Sequence, residues 1–185
     1  MILIPRIEVQ YAMRITVDSI PAGGRSVKAD PQIDWARMAA KQALQGEPNA
    51  LTWDVRVTRQ GKSLKVHGTG STRYSRICDR CQASVFLDIG GDVDLLYRPE
   101  EPENSSAEVE LSEEDLDVGW FDGRALDMKA VLCEQLALWV PQRVLCEDLG
   151  VTRKTPGPCV LPDYDSGPDL ERHSPFANLT LPKTS

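Results

Sequence analysis

The sequence predicts a single α+β domain over residues 1–160: a mainly antiparallel β-sheet or partly open barrel with two helices packed on it. A flexible C-terminal tail follows over 161–185. Three observations carry this reading. Between residues 51 and 95 apolar and polar side chains alternate with the period of two that a half-buried strand requires. Two segments, one near Trp35 and one from Asp127 to Val140, instead repeat at helical spacing. After Pro158 the chain is rich in Pro, Ser and Asp, with no period that would form a packed element.

In chain order, Tyr11 to Val17 alternates as a strand, and Pro21, Gly23 and Gly24 mark the loop after it. Asp30 followed by Pro31 is a helix start signal, a capping side chain before a residue whose missing N–H costs nothing at the first helical position. Trp35, Met38, Ala39 and Gln42 then share a helical face until Gly46 offers a stop. Leu51, Trp53, Val55 and Val57 alternate with Thr52, Asp54, Arg56 and Thr58 in the clearest strand of the chain. The turn Gln60-Gly61-Lys62 leads into a second strand, with Leu64 and Val66 inward and Lys65 and His67 outward, so a hairpin is expected. A third strand from about Ser71 to Ile77 delivers the chain to Cys78. Val85, Leu87 and Ile89 begin a fourth, with a bulge or bend expected at Gly90-Gly91 before Val93 and Leu95 resume the alternation.

Residues 100–127 contain eleven acids and one base, Arg124, and the stretch near 99–125 reads as an acidic loop. Asp127 can then cap a helix through Val140, ended by Pro141, with Met128, Val131, Leu132, Leu136 and Trp139 as its apolar stripe. Ala130, Ala137 and Leu138 widen that stripe and predict a well-buried helix. Pro175-Phe176-Ala177-Asn178-Leu179 is the apolar patch of the tail.

The chain of 185 residues is 41% apolar and 26% charged, as expected of a soluble globular protein, and holds no apolar run long enough for a membrane helix. Its apolar start, Met1 to Ile4, is too short for an export signal, which places the chain in the cytoplasm. The net charge of −7 hides an asymmetry: residues 1–80 hold 13 basic and 7 acidic side chains, and residues 81–185 hold 8 and 21. A basic half joined to an acidic half points to a polyanionic partner or to internal pairing of the two halves.

Five cysteines, an odd number, read as thiols or metal ligands and not as a disulfide framework. Cys133 falls within the apolar helix as a small buried hydrophobe. Cys78-Asp79-Arg80-Cys81 is a Cys-x2-Cys turn that can place two thiolates on one ion, and a closed zinc site needs four. Cys146 and Cys159 are the second pair, although their spacing is not that of a second knuckle. A redox dithiol fits less well, because that motif opens a helix, whereas this one joins two strands.

Arg56, Lys65, His67 and Arg73 share the outward parity of consecutive strands and form a candidate nucleic-acid stripe. Arg76 and Arg80 would join them if Gly68 or Gly70 shifts the register, and Tyr74 and His67 are candidates to stack on bases. The competing interaction surface is acidic and apolar, with Glu113, Glu114, Asp115 and Phe176 as candidate contacts to a protein partner. Catalytic motifs are missing. Gly61-Lys62-Ser63 looks like the end of a phosphate-binding loop, but Arg56 stands where its first glycine belongs, and a hairpin turn accounts for the triplet. The two histidines, His67 and His173, lie far apart, so no enzyme is expected.

Several features in this order resemble the YceD-like family of large ribosomal RNA subunit accumulation proteins. They are Ile20-Pro21 after a strand, the basic hairpin leading to Cys78-Asp79-Arg80-Cys81, and the run from Leu126-Asp127-Met128 through Glu134-Gln135-Leu136-Ala137-Leu138 to Val140-Pro141. The ending Ser174-Pro175-Phe176-Ala177-Asn178-Leu179, with Lys183 beyond it, is similar to the family's proteobacterial ending. The resemblance implies a non-enzymatic factor in ribosome biogenesis, needed for large-subunit ribosomal RNA to accumulate. That RNA or its precursor, and a basic large-subunit ribosomal protein, are the implied partners. Cys78 and Cys81 carry over as the family's metal or nucleic-acid motif; Cys146-Glu147-Asp148-Leu149-Gly150 departs from the Gly-Leu-Cys context found in some members.

Overall fold

The structure is a computed structural model, and it describes residues 13–100 and 118–160. Three long strands form its centre: β3 (Pro48–Gln60), β4 (Ser63–Ile77) and β5 (Ser84–Pro99), following β1 (Arg14–Thr16), β2 (Arg25–Ala29) and the helix α1 (Asp34–Leu44). The chain continues through β6 (Val118–Phe121), β7 (Ala125–Asp127), the helix α2 (Met128–Trp139) and β8 (Val151–Arg153). The main sheet runs β2-β3-β4-β5-β6 and stays open; β8 pairs with β5 at its other end, and β1 and β7 form a separate antiparallel ribbon. Every pairing is antiparallel except β5 with β6. The fold is α+β, an open sheet and not a barrel.

The alternating pattern of β3 fixes its faces: Leu51, Trp53, Val55 and Val57 are buried, and Leu64 and Val66 of β4 join them on the helix-covered side. A two-residue turn links the strands, with Gly61 at φ +62°, a left-handed conformation that side chains other than Gly and Asn resist. The strands expected before and after Ser71 are one strand, because β4 pairs without a break from Ser63 to Ile77. Gly68 and Gly70 therefore shift nothing.

Nor is there a bulge at Gly90-Gly91, where Gly91 lies directly opposite Gly70 in an unbroken ladder. The reason for Gly70 is packing: a Cβ there would sit 2.7 Å from the Trp53 ring and 3.1 Å from Trp139. The register shift occurs instead between Pro48 and Ala50, where the Thr72 hydroxyl donates to the Ala50 carbonyl at 2.7 Å.

Both helices lie on this inner face, and they differ from expectation in detail. α1 begins at Asp34, not at Pro31, because the Asp30 carboxylate is spent on a turn, accepting from the Gln32 N–H at 2.7 Å. The helix ends with Gln45 in the left-handed conformation ahead of Gly46, and its buried side is Trp35, Ala36, Ala39, Ala40 and Leu44, leaving Gln42 exposed. Asp127 caps α2 as the sequence predicts, accepting from the Lys129 N–H at 2.9 Å. α2 is one-sided, however: Ala130 and Ala137 are exposed and Leu138 is 71% exposed. The end of the expected acidic loop is structured as β6 and β7, linked by Asp122, whose carboxylate accepts from the Arg124 and Ala125 N–H groups at 2.8 Å. Among the described residues no helix is long and apolar enough to cross a membrane.

Candidate functional site

Strand β4 ends in the turn Cys78-Asp79-Arg80-Cys81, and the segment after α2 folds back onto it. Cys78 N–H donates to Ala83 O at 2.9 Å and Gln82 N–H to Cys78 O at 3.0 Å, with Gln82 in the left-handed conformation that closes the knuckle. Asp79 ties the two segments together: its N–H donates to Val144 O at 2.8 Å, and its carboxylate accepts from the Val144 N–H at 2.6 Å. Asp148 accepts from the Leu145 N–H at 2.6 Å and turns the chain into β8, which pairs with Val85–Leu87 of β5. The Arg153 guanidinium then donates to the Gly157 and Pro158 carbonyls, the latter at 2.7 Å, and positions the approach to Cys159.

The result is a cluster of Cys78, Cys81, Cys146 and Cys159 whose sulfurs all lie within 4.8 Å of one another. Cys78 Sγ is 3.7 Å from Cys159 Sγ, and Cys81 Sγ is 3.4 Å from Cys146 Sγ. Thiolates about 2.3 Å from a tetrahedral ion are separated by about 3.8 Å, so this donor set fits a metal of zinc's size and softness. None of the five cysteines is in a disulfide. Cys78 is fully buried, which raises a thiol's pKa, but N–H groups of Cys81 and Arg80 and the thiols of Cys146 and Cys81 aimed at its sulfur outweigh this and bring it to about 6. Burial and the neighbouring thiols push Cys146 the other way, to about 12, and burial also raises Cys159. A metal is bound by thiolates, so a divalent cation taken up by these four cysteines would displace their protons. Cys133 stands apart, half-buried on α2.

The candidate nucleic-acid stripe is laid out differently from its sequence pattern. Arg56, Lys65, His67 and Arg73 do share the solvent face, but β5 places a row of acids beside them. Arg73 is held by Asp88 through two bonds of 2.8 and 2.7 Å, and Lys65 by Asp94 at 2.9 Å. His67 lies opposite Asp94 in register, and Arg56 donates to Gly23 O at 2.8 Å. Because the register holds through Gly68 and Gly70, Arg76 falls on the opposite face and donates to Pro141 O at 3.3 Å. Arg80 pairs with Glu147 at 2.7 Å beside the cysteine cluster. Tyr74 is 1% exposed and belongs to the core, so it offers no stacking surface.

Glu113, Glu114, Asp115 and Phe176 lie outside the described residues. A site that the sequence does not announce lies between β5, β6 and α2, a cleft of about 290 Å³ lined by Tyr97, half-exposed Trp120, Glu100, Asp122 and Glu134. Its residues are scattered from 14 to 134, and the parallel pairing of β5 with β6 and the β1–β7 ribbon assemble them.

An open α+β sheet fastened at one end by a four-cysteine cluster defines the class, a small protein with a site suited to a structural metal. The family described as large ribosomal RNA subunit accumulation protein YceD matches residues 66–181, and the chain belongs to that family. All four clustered cysteines fall within the matched region. No curated protein and no solved structure matches the chain.

Proposed function

We propose that this protein is a non-enzymatic factor of ribosome biogenesis that supports accumulation of large-subunit ribosomal RNA by binding that RNA or its precursor, with one structural Zn²⁺ in the Cys78, Cys81, Cys146 and Cys159 cluster. The observation that carries the reading is the family match over residues 66–181, which includes all four ligands. A closed set of four thiolates leaves no open coordination position for substrate, so the ion would fasten the segment after α2 to the end of β4 and take no part in a reaction. Such work belongs in the cytoplasm, where thiols stay reduced.

Depletion of the chain should lower the ratio of large-subunit to small-subunit ribosomal RNA. The wild type should restore it, and a Cys78→Ser/Cys146→Ser variant expressed to the same level should not. An unchanged ratio on depletion would overturn the reading.

A second reading is favoured by the acid-rimmed cleft. Glu100 and Glu134, with half-exposed Trp120 in the same cleft, suit the ammonium or guanidinium of a basic ribosomal protein, by charge and by cation–π attraction, while Asp122 is already paired with Arg14 at 2.6 Å. Trp120→Ala should abolish capture of such a protein and leave RNA affinity unchanged.

A further inference from the structure

Among the described residues a group of bases without a carboxylate partner surrounds the end of the β3–β4 hairpin. Four cations surround that end: Arg25 at the start of β2, Arg56 and Arg59 near the end of β3, and Lys62 in the turn. Arg25 lies opposite Val57 and Arg59 opposite Leu64, so both take the parity of those residues, whereas Arg56, opposite Ser26 and His67, takes the other face; the cations thus flank the hairpin end from both sides. Their described contacts are to neutral oxygens. Arg25 donates to the Ser19 hydroxyl at 3.2 Å, Arg56 to Gly23 O at 2.8 Å and Arg59 to Gly61 O at 3.1 Å. Among the described residues no carboxylate pairs with any of the four, Lys62 included. A guanidinium has five N–H donors, so each arginine keeps several for a ligand while one bond holds its stem in place.

Most of the other described bases of the first eighty residues are paired with acids, Arg76 on the opposite face being the exception. Lys28 pairs with Asp54, Lys65 with Asp94, Arg73 with Asp88 and Arg80 with Glu147. Asp94, the acid of β5 toward the hairpin end, is thus engaged by Lys65, and Glu100 lines the cleft beside Trp120. A polyanion approaching the sheet face meets alternating signs; one approaching the hairpin end meets four positive charges in a short span.

We infer that the β3–β4 hairpin end, through Arg25, Arg56, Arg59 and Lys62, is the surface that grips the phosphate backbone of RNA. The inference rests on the RNA-binding reading above and moves the binding surface away from Lys65 and Arg73. The four side chains include no aromatic ring, so the grip is on phosphates and carries little sequence preference.

The test is binding of the full chain to labelled single-stranded fragments of large-subunit ribosomal RNA, titrated across salt concentrations. Arg59→Gln/Lys62→Gln should weaken binding about tenfold or more at low salt and flatten the slope of log K against log salt by about 1.4, roughly 0.7 for each phosphate that the variant no longer neutralises. Arg25→Gln, on a different strand, should flatten it by about 0.7. Lys65→Gln/Arg73→Gln should leave the slope unchanged. Metal content and melting temperature of each variant establish that the fold is intact. If the wild type binds and the hairpin variants bind equally well, the inference falls and the RNA reading stands. If the wild type binds no RNA, both fall.

Discussion

The two ends of β4 are built on opposite terms. At Ser63 the strand leaves a two-residue turn whose one side chain, Lys62, is basic and faces solvent; at Ile77 it enters a turn whose cysteines, Cys78 buried and Cys81 partly so, pack against a second segment of the chain. Fifteen residues of extended chain separate the ends by roughly 45 Å. The hairpin end is made by local sequence, is held by main-chain pairing, and keeps its charge. The cysteine end is made by contacts between residues up to 81 positions apart, and its charged groups are spent on internal bonds, Asp79 on Val144 and Arg80 on Glu147. One sheet thereby separates anchoring from exposure: the end closed by long-range bonds can be rigid, which leaves the other free to meet a ligand.

Removing the ligands from the cysteine end is the strongest perturbation of that division. A Cys78→Ser variant, or the wild type treated with a strong chelator, should lose about one zinc per chain and melt more than about 10 °C lower, since a structural zinc contributes several kcal/mol and each kcal/mol shifts a chain of this size by about 2–4 °C. Elemental analysis with thermal unfolding reads both. A wild type that carries no metal and does not respond to chelator would show that Asp79 and the β5–β8 pairing hold this end by themselves.

Those bonds are the next target. Asp79→Ala leaves the Val144 N–H without its carboxylate partner at 2.6 Å and should cost about 1–3 kcal/mol. Hydrogen exchange should then quicken across residues 144–153 and stay unchanged at the hairpin. Equal quickening at both ends would mean that the sheet opens as one unit and that the two ends are not independent.

What the sequence discloses follows the same division. The faces of β3 and β4 are legible because a period of two is local: Trp53 and Val55 announce their own burial. Asp127 announces the start of α2, whereas Asp30 misleads because its carboxylate closes a turn that delays α1 to Asp34. The glycines near the middle of the sheet read as a bend at Gly90-Gly91 and as a register shift at Gly68 or Gly70, yet Gly70 serves Trp53 and Trp139, the latter almost seventy residues away. Cys78 and Cys81 identify themselves as a pair by spacing. The closeness of Cys146 and Cys159 depends on the three-residue β8 and on Arg153, which no periodicity reveals. The basic stripe is visible as parity, but its neutralisation is not, because Lys65 meets Asp94 and Arg73 meets Asp88 only once the register of β4 on β5 is fixed.

The smallest effect belongs to the hairpin end. Gly61 holds φ at +62°, where a residue with a Cβ costs about 1–2 kcal/mol and a β-branched one most of all. Gly61→Val should therefore lower the melting temperature by only about 2–8 °C, and Gly61→Asn, which tolerates this conformation, should recover most of the loss. Nothing lies within 4 Å of a Cβ built at Gly61, so the penalty is one of backbone conformation alone and should stay in the turn. Metal content should be the same in wild type and both variants. Loss of zinc from Gly61→Val would show that strain at the turn travels the length of β4, and the separation of anchored and exposed ends would have to be abandoned.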